Sequence, residues 1–211
     1  MLTLEKIQSN KQMFCYYLNN FVKRENSKIK ELLEVLETYG FFSSPASIDS
    51  TYNYEGGLCE LCLNTYKRFS TMCHNENSNI PEDTICILGL LLNIGRLDMF
   101  EKYSRNVKVY TEDGNKYDEN GKFKWTVKYE FAFKKNEDKM FAVSGEQLTL
   151  LLLQNNIQLT EPEIIAILNS DCGTNKGYVD RNLMNTLVSV PITVVLHSAL
   201  LLATYLDGHH E

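Results

Sequence analysis

Apolar side chains recur at helical spacing through the first hundred residues. Phe14, Tyr17, Leu18 and Phe21 share one face, as do Ile29, Leu32, Leu33 and Leu36 in the next segment, where Gly40 provides a stop. A loop, Phe41-Phe42-Ser43-Ser44-Pro45-Ala46-Ser47, separates these from a third helical pattern at Leu58, Leu61, Cys62, Tyr66 and Phe69. Pro81 suits the first turn of a fourth helix running through Ile85, Leu88, Leu91 and Leu92. Cys86, Ile87 and Leu90 between them are apolar too, and a helix apolar on nearly every side is expected to be buried on nearly every side. It breaks off abruptly in the polar turn Asn93-Ile94-Gly95-Arg96.

From Val107 to Phe133 the period shortens to two. Phe123, Trp125, Val127, Tyr129, Phe131 and Phe133 alternate with Lys122, Lys124, Thr126, Lys128 and Glu130, which predicts a half-buried strand with a basic outer face. Asp113-Gly114 and Asn120-Gly121 are turn signals, so a small antiparallel insert of two or three strands is expected over about residues 106–133. Helical signals then resume. Ser144-Gly145-Glu146-Gln147 and Thr160-Glu161-Pro162-Glu163 read as capping boxes, Asp180 as a further cap, and Pro191 should kink or split the last apolar segment. Without repeats, low-complexity tracts or linkers, residues 1–211 read as a single mainly α domain with a β insert.

Composition adds exclusions. Hydrophobic residues at 44% and charged residues at 23% are ordinary for a globular chain, and a net charge of -6 argues against whole-chain attraction to nucleic acid or anionic lipid. The start Met1-Leu2-Thr3-Leu4-Glu5-Lys6 has no signal-peptide pattern. Residues 191–206 are too short and too polar to span a bilayer. A cytoplasmic location is therefore expected, and with it free thiols at cysteines 15, 59, 62, 73, 86 and 172. Cys59-x-x-Cys62 with Cys73-His74 is a weak zinc motif, because it falls within a helical pattern and lacks a second ligand pair.

Several short motifs stand in a fixed order. They are Phe41-Phe42-Ser43-Ser44-Pro45-Ala46-Ser47; Gly56-Gly57-Leu58-Cys59-Glu60-Leu61-Cys62-Leu63-Asn64-Thr65-Tyr66; and Leu90-Leu91-Leu92-Asn93-Ile94-Gly95-Arg96. Then come Val107-Lys108-Val109-Tyr110, Val143-Ser144-Gly145-Glu146, Ala166-Ile167-Leu168-Asn169-Ser170, and Leu196-His197-Ser198-Ala199-Leu200 through Thr204. This order resembles the HD-domain phosphohydrolases, in particular a compact group common in bacteria and their phages. The resemblance implies an HD-like helical bundle and positions for histidines and aspartates that would hold one or two catalytic metal ions. At those positions this chain has Leu61, Leu92, Asn93, Ser144, Ser170 and Leu200, and Asn53 replaces a further histidine. Leucine offers no lone pair, and filling such a centre with leucines avoids the several kcal/mol cost of an unpaired buried carboxylate. The resemblance thus implies a pseudoenzyme with no catalytic residues, no metal and no cofactor.

Three functions follow as expectations. The first is a binding protein that keeps a nucleotide or cyclic nucleotide intact; in a phage setting, which the resemblance alone supplies, it would be a counter-defence sponge for a host immune signal. Arg96, Lys108, Lys122 and Lys124 are the candidate phosphate holders, with Tyr110, Trp125 and Tyr129 as stacking platforms. The same Lys/aromatic alternation also fits a solvated face over a core face, and that alternative stays open. The second is a protein that docks on a host or viral partner without a small ligand. The third is residual hydrolysis by a rebuilt site using Asp98, Glu60, Glu146 or Asp171. No membrane partner is expected, and the oligomeric state is left open.

Overall fold

A computed structural model describes residues 2–48, 51–75, 79–134, 145–172 and 181–208. It is mainly α. The elements are α1 (Leu4–Phe21), α2 (Ile29–Thr38), α3 (Gly57–Asn75), α4 (Glu82–Leu91), a 3₁₀ turn (Leu92–Arg96), β1 (Phe100–Tyr110), β2 (Lys116–Asp118), β3 (Gly121–Phe133), α5 (Gly145–Gln154), α6 (Glu161–Leu168), α7 (Arg181–Ser189) and α8 (Ile192–Tyr205).

Local chemistry ends several helices where the pattern predicts. At the end of α2, Gly40 adopts φ +68°, and the N–H groups of Gly40 and Phe41 donate to Glu37 O and Leu36 O. Only a residue without a Cβ takes that left-handed conformation cheaply, and the resulting cap turns Phe41 back onto Leu36, both fully buried. Pro81 sits one position earlier than expected, as the N-cap of α4. Pro191 separates α7 from α8, which meet at 100°. No single helix among the described residues is long and apolar enough to cross a membrane. Glu163 Oε2 accepts from the Thr160 N–H at 2.7 Å, the return bond of the predicted capping box at α6. Ser144 and Asp180, expected as caps, lie outside the described residues.

One hydrophobic core runs from Phe14 on α1 to Ala203 on α8. Its centre is α3, which packs against α1, α4, the 3₁₀ turn and α8. Every residue of α4 from Ile85 to Leu91 is buried, as its all-round apolar pattern predicts. Arg24, just beyond α1, ties α4 to α6. Its Nη2 donates to Glu163 Oε1 at 2.5 Å and to Thr84 Oγ1 at 3.2 Å. Its Nε lies 2.7 Å from Asp83 Oδ2, an ion pair whose angle is too poor for a hydrogen bond. Arg68 on α3 makes a bidentate pair with Asp207, just past α8, at 2.8 and 2.5 Å.

The β insert differs from expectation in two respects. It begins at Phe100 rather than about residue 106, because β1 pairs with β3 along its whole length, from Phe100↔Phe133 to Tyr110↔Phe123. The short β2 pairs only with the tip of β3, giving the order β1-β3-β2. The second difference is burial. Trp125 is 48% exposed, Val127 51% and Tyr129 64%, so the middle of the apolar row of β3 lies open while Phe123 at its tip is buried. The alternation is real, but among the described residues no helix packs extensively along the ribbon to receive it.

Two consequences are measurable by denaturation. Arg24→Ala leaves Glu163, which is 1% exposed, without its cation, and a broken buried pair costs about 3–5 kcal/mol; urea unfolding should show a loss in that range. The Arg68 guanidinium holds the Asp207 carboxyl below its ordinary value, chiefly through their hydrogen bond. The stability from this pair is therefore present above the usual carboxylate range and lost as pH falls below about 4. The stability gap between wild type and Asp207→Asn should be full at pH 7 and shrink on acidification below that point.

Candidate functional site

Of the positions where the resemblance would place metal ligands, Leu61 lies on α3, and Leu92, Asn93 and Leu200 lie on the 3₁₀ turn and α8, which pack against α3. Leu61 and Leu92 belong to the same buried core, and Leu200 on α8 packs against it. Asn93 is buried and donates from Nδ2 to Thr65 Oγ1 at 3.2 Å. Ser170, just after α6, offers its carbonyl to Nδ1 of His197 at 2.8 Å, so the histidine on α8 is a packed, hydrogen-bonded one. Ser144 is outside the described residues. Among the described residues, no group of three or more His, Cys, Asp or Glu side chains is placed to hold a metal ion.

The carboxylates considered for a rebuilt site are dispersed. Glu60 is buried and accepts from Tyr54 Oη at 2.7 Å. Asp98 is buried and paired with Lys134 at the root of the β insert. Glu146 lies exposed on α5, and Asp171 follows α6. The thiols turn inward. Burial pushes Cys59 and Cys62 well above the ordinary thiol range, and Cys86 up to about 12. Cys73 is buried on the same helix, whereas His74 is exposed.

Arg96 closes the turn that ends α4. It is partly buried, and its Nη1 donates to Ala46 O at 2.9 Å, which pins the 41–48 loop against the 3₁₀ turn. Burial lowers its pKa; the groups that oppose this, Cys62 and Tyr205, are both ordinarily neutral. No carboxylate forms an ion pair with Arg96 among the described residues, so its charge is held by a carbonyl dipole alone.

The other candidate holders are far from it. Trp125 stands opposite Lys108, eight residues along the ribbon from its root, about 26 Å at the usual strand rise. Lys122 and Lys124 project from the face opposite Trp125, as strand alternation demands. Lys108 is already engaged, with Asp118 Oδ2 at 2.6 Å and its ammonium over the Phe123 and Trp125 rings at 4.5 and 5.9 Å. Tyr110 donates to the same Asp118 at 3.1 Å. The structure therefore does not gather Arg96, Lys108, Tyr110, Lys122, Lys124 and Trp125 into one site.

What it does form is a cleft of about 770 Å³ between the ribbon root and the loop that includes Asn53, Tyr54 and Glu55. Tyr103 and Tyr129 line it from the strands, with Lys102, Lys128 and Glu130. Of the lining residues, Tyr129 is a ligand-holding candidate by sequence and Asn53 a position where the resemblance would place a histidine. Lys102 Nζ lies 5.4 Å from the centre of the Tyr129 ring and 3.3 Å from Glu55 Oε2. Lys128 lies 3.1 Å from Glu130, which also accepts from Tyr103 and Arg105; these bonds, that of Lys128 first, hold its carboxyl below the ordinary value. Lys102 and Tyr103 precede the expected start of the insert. Tyr54 lies in a loop whose contact with the strands has no sequence signal.

Thiol labelling tests the inward packing. In the native protein at pH 8, Cys59, Cys62, Cys73 and Cys86 should resist a thiol reagent and react only on unfolding. Rapid native labelling of any of the four would contradict their burial. No protein-family model, curated protein or solved structure matches this chain.

Proposed function

We propose that the chain is a non-catalytic, HD-like protein that binds a nucleotide-type ligand and retains it intact. The observation that carries this reading is the cleft at the ribbon root. Its volume suits a small ligand, the Tyr129 ring offers a stacking surface, and Lys102 supplies a cation beside it. Lys102 now pairs with Glu55 at the surface, where such a pair is weak, so a phosphate could displace the carboxylate at little cost. The region around Leu61 and Leu92 supports retention over turnover, because apolar side chains there cannot activate a water for attack on a phosphoester. A sponge for a signalling nucleotide is the function such binding would serve.

The test is calorimetry and thermal shift with a panel of linear and cyclic nucleotides, followed by recovery of the ligand after denaturation. Binding with intact recovery is expected. Tyr129→Ala should weaken affinity by about tenfold or more, in line with the ~1–3 kcal/mol of one base–aromatic stack, and Lys102→Ala should weaken it too. Trp125→Ala, far up the ribbon, should leave it unchanged. Absence of binding across the panel would refute the ligand class, and metal-dependent consumption of a phosphoester would refute retention.

A further inference from the structure

Helices α1 and α3 run side by side in the same direction. A Cβ on Gly56, just before α3, would lie 3.0 Å from Ile7, and about three turns further along the Tyr17 and Tyr66 rings meet at 4.7 Å. Between them is a groove of about 410 Å³ lined, among the described residues, by these two helices alone. Asn10, in the interior of α1, stands on its wall. This side chain is 3% exposed, and its Nδ2 donates to nothing among the described residues. A buried amide without an acceptor is costly, and asparagine is also a poor residue for a helix interior. A side chain that weakens the fold on both counts points to a bound acceptor.

The cations of the groove are Lys6 on α1 and Lys67 on α3. Neither forms an ion pair among the described residues, whereas Lys11 and Arg68 on the same helices bind Glu37 and Asp207. Lys67 adds only a through-space pull on Asp207, both of whose oxygens Arg68 already holds. The carboxylate on the wall, Glu60, accepts from Tyr54 Oη at 2.7 Å and sits in the first turn of α3, where the helix dipole offsets its charge. We infer that this groove binds a small organic or inorganic anion, a carboxylate or a phosphate, which accepts from the Asn10 carboxamide and is neutralised by Lys6 and Lys67. The site shares no lining residue with the cleft at the ribbon root and does not depend on what that cleft binds.

The test is a nuclear magnetic resonance titration of the ¹⁵N-labelled full chain with citrate and with inorganic phosphate, against sodium chloride at matched ionic strength. The side-chain amide signal of Asn10, identified by its loss in Asn10→Leu, should shift and saturate with citrate or phosphate and stay in place with chloride. Which of the two acts distinguishes a carboxylate site from a phosphate site. Lys6→Ala and Lys67→Ala should each weaken the apparent affinity by about tenfold, as expected for loss of a charged hydrogen-bond donor. Asn10→Leu should abolish the response and raise the Tm of the free protein, because leucine strands no donor and suits the helix better. A lower Tm for Asn10→Leu would overturn the inference, since Asn10 would then be satisfied within the fold. So would an Asn10 signal that neither anion moves, or one that chloride moves equally, which is an adventitious ion only. The wild-type titration and the two lysine variants decide the matter whatever Asn10→Leu does to folding.

Discussion

The axis of α4 comes so close to α3 at Gly89 that a Cβ there would lie 3.0 Å from Tyr66 Cα and 3.1 Å from a Phe69 ring carbon. That is tighter than almost any real Cβ contact, so glycine lets α4 and α3 approach without the neighbours having to give way. Tyr66 can then reach Glu82 at the start of α4, and the 3₁₀ turn that follows α4 is held over Cys62 and Thr65. With α1 and α8 on its remaining sides, α3 becomes the hub of the body. The Arg24 cluster and the Arg68–Asp207 pair close the perimeter around it.

That packing governs where chemistry can happen. The interior at Leu61, Leu92 and the α3 thiols is a hydrophobic core, and Arg96 beside it is tied to the carbonyl of Ala46. Burial also raises the Cys59 and Cys62 thiol pKa values, which keeps both from acting as nucleophiles. Ion pairs, exposed rings and an open cleft appear instead at the rim, where the 51–56 loop meets the ribbon. Tyr52 anchors that loop by donating to Ala203 O at 2.7 Å, so one wall of the cleft is braced by α8. The other wall is braced by the pairing of Asp98 with Lys134.

The ribbon itself draws its order from cross-strand contacts. Lys108 lies over Phe123 and Trp125 and binds Asp118, and Tyr110 shares that carboxylate, so a small polar-aromatic knot secures the tip through β2. Phe100 stacks on Phe133 with ring centres 5.0 Å apart at the root. Between these two ends Trp125, Val127 and Tyr129 are exposed among the described residues.

Periodicity located the helices, because a face that repeats every three to four residues can be buried only as a helix, and Gly40, Pro81 and Pro191 marked boundaries that depend on backbone geometry alone. The two-residue alternation likewise identified β3, and the Asn120-Gly121 signal its turn. Alternation states that two faces differ; it does not state that anything lies against the apolar one, so the exposure of Trp125, Val127 and Tyr129 was settled only in three dimensions. The separation of Arg96 from Lys108 and Trp125 was settled there too, since residues close in motif order can end at opposite ends of a long strand pair. The cleft joins Tyr54 to Lys102 and Tyr129, a contact between distant segments that local propensity does not encode. Sequence determined which elements form and where they end, because those depend on neighbours in the chain; the fold decided which side chains share a site, because that depends on how the elements pack.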